Sequence, residues 1–131
     1  MTMKIIENNI LPLGGYKAFC FLWWIFIRKG TQLTLQDIQH EAIHWEQQKE
    51  LAIIGFYLLY VLMYCYEWLR CLFDKKRGWQ EDRRALRFSA RSHNRRAYRC
   101  VPFEREAYRN ENVQYYIEHR RHYAWARKNS Q

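Results

Sequence analysis

A helical pattern of apolar positions runs from Leu35 to about Phe73. Its start is marked by Thr34-Leu35-Gln36-Asp37, a capping box in which Thr34 caps the first turn and Asp37 answers from the third position. As one straight helix it would be about 58 Å long. A compact domain of this size has a radius of gyration of only about 14 Å. A break or bend is therefore expected, and Gly55 marks the place for it. Leu51 to Tyr66 carries no charged residue, and Glu67 and Arg70 follow before the run ends at Cys71-Leu72-Phe73. This stretch falls short of the roughly 20 residues of a membrane span. Packing in the core is expected of it, with a place on a membrane surface as the alternative.

Before the helix, Lys17 to Arg28 is rich in Phe, Trp and Ile and reads as strand. Its length favours two short strands bending near Leu22-Trp23, closed by Lys29-Gly30. Leu11 to Gly15 reads as an irregular lead-in. After the helix, Lys75 to Gln80 reads as a polar turn and Glu81 to Arg99 as loop plus short helix. Pro102 opens a new segment, with Phe103 to Tyr116 helical and Ile117 to Lys128 a terminal helix. The pattern predicts an α+β fold: a small N-terminal antiparallel sheet, a long helix, and two or three further helices.

The chain's 131 residues suit one domain spanning 1–131. A 49% hydrophobic and 18% aromatic composition excludes a disordered chain. The net charge of +9 is unevenly placed: residues 1–50 are neutral, while residues 74–131 carry sixteen Lys/Arg against seven Asp/Glu. A basic half points to anionic partners or to a solvated face. No nucleic-acid motif accompanies Arg83 to Arg99, so nucleic acid is the weaker partner class. Cys20, Cys65, Cys71 and Cys100 lack metal-ligand spacing and fit small buried hydrophobes. The N-terminus lacks a long apolar segment, so a cytoplasmic location is expected, with membrane association as its alternative.

The chemistry centres on His40-Glu41-Ala42-Ile43-His44. On a helix, positions i and i+4 share a face, so both imidazoles can reach one ion. Glu41 then stands where a carboxylate can serve as general base toward water. A catalytic zinc needs a third protein ligand. His93, Glu104, Glu106, Glu111, Glu118, His119 and His122 are the downstream candidates.

Phe103-Glu104-Arg105-Glu106-Ala107-Tyr108 resembles, over the positions from Glu104 to Ala107, the E-x-x-A-D pattern in which one branch of the gluzincins carries its zinc-binding Glu. That resemblance implies Glu104 as the third ligand. It departs at Tyr108, where the branch has Asp in a supporting role. The layout is also similar to the minigluzincins and to a group of small bacterial zincin-like proteins. Gly15-Tyr16-Lys17-Ala18, Ile27-Arg28-Lys29, His40 to His44, and Tyr123-Ala124-Trp125 carry that likeness. It implies a zincin-like domain that hydrolyses peptide bonds, with Zn²⁺ held by His40, His44 and Glu104 and with Glu41 as general base. The substrate would be a peptide or protein. An edge strand beside the metal pairs with substrate in zincins, and Trp24 to Arg28 is placed for that role. Peripheral membrane contact is expected through Leu51–Phe73 and the basic C-terminal half. The rival class is a non-catalytic membrane-surface or nucleic-acid-binding protein with a vestigial or structural metal site.

Overall fold

The computed structural model of the chain describes residues 3–10, 17–73 and 90–127. The lead-in from Leu11 and the segment from Lys75 to Ser89 lie outside them. The fold is α+β, with a three-stranded sheet at the N-terminus followed by helices. β2 (Ala18–Phe21) and β3 (Trp24–Arg28) form the expected antiparallel hairpin, turning at Leu22-Trp23. β1 (Lys4–Asn8) adds to the other side of β3 in parallel, so the sheet is mixed, in the order β1-β3-β2. β3 is thus the central strand. Trp24 to Arg28 cannot be a substrate-pairing edge, because both of its sides are already hydrogen-bonded.

Leu22 turns the hairpin in the left-handed region, at φ 56, without a glycine. Its conformation is held from outside: Gln48 accepts from the Leu22 N–H at 3.0 Å and donates to the Cys20 carbonyl at 3.2 Å. The wholly buried Gln48 thereby fixes β2 to α1 (Leu35–Glu50). Ile25 and Ile27 alternate with half-buried neighbours along β3 and turn their side chains into the interior.

The Thr34 capping box forms as the sequence predicts, with both reciprocal hydrogen bonds present. The long helical run breaks, but not at Gly55. α1 ends at Glu50, and α2 (Ile54–Phe73) begins one residue before Gly55, which lies inside its first turn. Ala52 and Ile53 adopt left-handed φ values of 52 and 64. The Ile53 N–H reaches back to the Gln48 carbonyl at 2.8 Å, the 6→1 bond of a Schellman end. A side chain at Gly55 would meet only Leu51 at ordinary contact distance, so nothing there requires glycine.

α3 (Ala90–Cys100) and α4 (Pro102–Asn110) follow, with Pro102 at the start of α4 where its missing N–H costs nothing. The expected terminal helix is instead one turn, α5 (Tyr116–His119), an extended Arg120, and a 3-10 turn at Ala124–Ala126. Arg120 breaks the helix because its guanidinium turns inward to bind Glu50 of α1 and Glu106 of α4. Phe56, Val101 and Phe103 form the core, with Tyr57, Tyr60, Met63 and Trp125 packed around them.

α2 departs most from its expected role. Of its residues only Phe56 and Glu67 are buried, while Ile54, Leu62 and Phe73 are 73%, 66% and 80% exposed. The expectation that Leu51–Phe73 is core holds for one face alone.

Candidate metal centre

His40 is the sixth residue of α1 and His44 lies one turn further, so the capped start of the helix sets both on one face. α4 packs against α1 and brings Glu104, on its first turn, to the same point. The two His Nε2 atoms are 3.2 Å apart. Glu104 Oε2 lies 3.3 Å from His40 Nε2, and Glu104 Oε1 lies 3.2 Å from His44 Nε2. All three side chains are buried, and their donor atoms lie within 4.8 Å of one another.

The surrounding hydrogen bonds decide which ring nitrogens face inward. His40 Nδ1 meets Glu111 Oε2 at 2.8 Å, and an ionised carboxylate only accepts, so Nδ1 carries the proton. His44 Nδ1 meets Gln47 Oε1 at 2.8 Å. The Gln47 amide cannot be flipped, because its nitrogen donates to the Phe103 carbonyl and to Glu106 Oε2, each at 3.0 Å. Each Nδ1 is thus a donor, and the two Nε2 lone pairs converge with the carboxylate of Glu104.

That convergence needs a positive charge at its centre. A tetrahedral ion with bonds of about 2.0–2.1 Å holds neighbouring ligand atoms about 3.3–3.4 Å apart, close to the separation of the two Nε2 atoms and of each from its own Glu104 oxygen. Glu104 Oε2 is also a buried acceptor with no hydrogen-bond partner, the kind of group a metal satisfies. A proton is the other source of charge. Burial by itself would lower the His44 pKa, but the adjoining Glu104 carboxylate outweighs it and raises it to about 9. Burial likewise opposes ionisation of Glu104, and the two imidazoles overcome it, holding Glu104 well below the usual carboxylate range. The cluster therefore admits either a proton on His44 or a cation, and gaining the cation would release the proton.

Glu41 lies beside this group, buried, with its carboxyl raised by burial and by Glu104 despite the two histidines and a hydrogen bond from the Cys20 backbone. Tyr60 donates to Glu104 Oε1 at 2.8 Å. Tyr108, at the position where the gluzincin pattern has Asp, packs edge-on against His40 with ring centres 4.7 Å apart.

A cavity of about 470 Å³ opens beside the cluster. Glu41, His44 and Glu104 line it together with Phe19, Phe56, Tyr57, Tyr64 and Tyr98. The edge strand beside it is β2, whose Cys20 carbonyl already accepts from Gln48 and from the Tyr57 hydroxyl.

The other candidate ligands lie elsewhere. Glu106, offset by two from Glu104, binds Gln47, Tyr116 and Arg120 instead. His93 meets the Trp68 carbonyl, His119 the Tyr115 carbonyl, and His122 is 91% exposed. Glu111 serves as an orienting partner for His40. Gln47 and Glu111 have no place in the H-E-x-x-H pattern, although their spacing carries a signal. Gln47 is three residues beyond His44, and Glu111 is seven beyond Glu104, two helical turns along one face.

Comparison of the chain with protein-family models, with curated proteins and with solved structures finds no match.

Proposed function

We propose that His40, His44 and Glu104 hold Zn²⁺ and that the chain hydrolyses peptide bonds. The observation that carries this reading is the convergence of two Nε2 lone pairs, with both Nδ1 protons fixed by Gln47 and Glu111, on a carboxylate with an orphaned buried oxygen. Two imidazoles and one carboxylate form a donor set that catalytic zinc takes. Among the described residues three donors meet, and a cavity lies against them. That is the layout of a catalytic site, since structural zinc sites are closed by a fourth protein ligand. Bound there, zinc would lower the pKa of water and polarise a carbonyl.

The chain's own residues supply the rest. Glu41 accepts a proton from the attacking water and returns it to the leaving amine; its raised carboxyl pKa brings it closer to the working pH. Gln47 and Glu111 hold the imidazoles in place. The aromatic cavity takes an apolar side chain next to the scissile bond. Strand pairing at the Cys20 carbonyl contributes little, because that oxygen is already engaged.

The test is Glu41→Gln, assayed on unstructured peptides with apolar residues. Retained zinc with hydrolysis lowered about 10²–10⁴-fold is expected for the loss of a general base. Retained zinc with full hydrolysis would remove Glu41 from the mechanism.

A further inference from the structure

α2 leaves uncovered a face that its composition would ordinarily send to the core. Ile54, Leu58, Val61, Leu62, Tyr66 and Phe73 are all more than half exposed. Their spacing follows the helical repeat, so they form one stripe along the side opposite Phe56. The helix is about 30 Å long, the thickness of a bilayer's hydrocarbon layer, and it is apolar enough to span one.

Spanning is excluded by what α2 packs against. α3 lies along it and carries Arg95, Arg96 and Arg99, which a spanning α2 would drag into hydrocarbon. The buried face of α2 also holds Glu67 and sends the Tyr57 and Tyr60 hydroxyls to Cys20 and Glu104. Only the outward stripe is free to meet lipid, so the helix must lie in the membrane plane rather than across it.

Charge selects the occupant. α3, which packs along α2, has four arginines and no acidic residue. A second copy of the chain would bring another net charge of +9 to the face and be repelled. An anionic lipid surface accepts both the apolar stripe and the basic excess.

We infer that the outward face of α2 docks in the plane of an anionic membrane. Val61 belongs both to this stripe and, while more than half exposed, to the lining of the cavity that Glu41, His44 and Glu104 share. Docking therefore holds the cavity mouth at the lipid surface. On the peptidase reading, this directs the site to apolar polypeptide segments at the membrane.

The experiment is co-sedimentation of the full chain with vesicles of phosphatidylcholine alone or of phosphatidylcholine with phosphatidylserine. Wild type should sediment with the serine-lipid vesicles, and more weakly as salt rises. The double variant Leu58→Asp, Leu62→Asp should lose at least tenfold in partitioning while keeping its zinc content and melting temperature. Three results would overturn the inference: no sedimentation with either vesicle, equal binding by the folded variant, or a wild-type dimer that the variant converts to monomer. Zinc content, read on the same samples, separates failure of membrane docking from failure of the metal assignment.

Discussion

α1 and α2 follow one another with three residues between them, yet they bury opposite chemistries. α1 buries seven residues, five of them polar: His40, Glu41, His44, Gln47 and Gln48. α2 buries only Phe56 and Glu67 and turns Ile54, Leu58 and Leu62 outward. Burying polar groups costs free energy unless each finds a partner, and exposing apolar ones forfeits free energy that burial would release. α1 meets its cost with side-chain hydrogen bonds to α4, β2 and the turn after α4. Those bonds also aim the histidines. α2 has a stable inner face and an outer one that the described fold does not use. The contrast separates residues that build the fold from residues that the fold alone does not explain; an ion is proposed for α1 and an anionic surface for α2.

The sharpest way to break the comparison lies within α2 itself. Phe56→Ala should lower stability by about 3–5 kcal/mol, as for a buried aromatic. Leu62→Ser, on the outer face, should change it by less than about 0.5 kcal/mol. Denaturant titrations of both variants read this directly. Comparable losses would mean that the outer face is covered in the folded chain.

On the polar side, Arg120→Ala should also cost about 3–5 kcal/mol, because it leaves Glu50 and Glu106 buried without their shared cation. Unchanged stability would show that the clamp between α1 and α4 is dispensable. Glu50 adds a pH signature. Burial would raise its pKa, but hydrogen bonds from Arg120, the Tyr123 N–H and Trp125 outweigh it and hold it below the usual carboxylate range. A depressed folded value means its stabilisation is present above about pH 4.3 and is lost as pH falls through the folded value. Glu50→Gln should flatten that acid limb; a variant with the wild-type acid profile would assign the limb to other groups.

Glu111→Ala should weaken zinc binding about 10–100-fold by freeing the His40 ring, with the ligands themselves intact. Competition with a chelator measures it, and unchanged affinity would deny Glu111 its orienting role. A gain in stability is expected at the joint between the helices. Ala52→Gly should stabilise by about 1 kcal/mol, since φ 52 strains any residue with a Cβ. Destabilisation would mean that the left-handed joint is not strained.

The meeting of His40, His44 and Glu104 was largely legible in the sequence. The Thr34 box sets the helix start and the i, i+4 spacing pairs the histidines, whereas Glu104 was singled out among several candidates by its resemblance to the gluzincin pattern. Gln47 was overlooked although it lies three residues beyond His44 on the same helix, and the role of Glu111 appears only when α1 and α4 meet. The helix break was expected at the glycine, but tertiary contacts placed it at Ala52-Ile53. Glu50 is anchored by Arg120 and Phe56 by Val101 and Phe103, and the residues between take the strain. Arg120 likewise breaks a segment whose local pattern is helical. β1 joins the sheet through partners about twenty residues distant, which no short window shows. For α2, composition specifies an apolar helix but not which of its faces is covered.

The most direct test of the account is zinc content in the chain purified without chelator. About one zinc ion per chain is expected for wild type. Folded His40→Ala and Glu104→Ala should carry far less. Zinc-free wild type, or equal zinc in both variants and wild type, would contradict the metal centre.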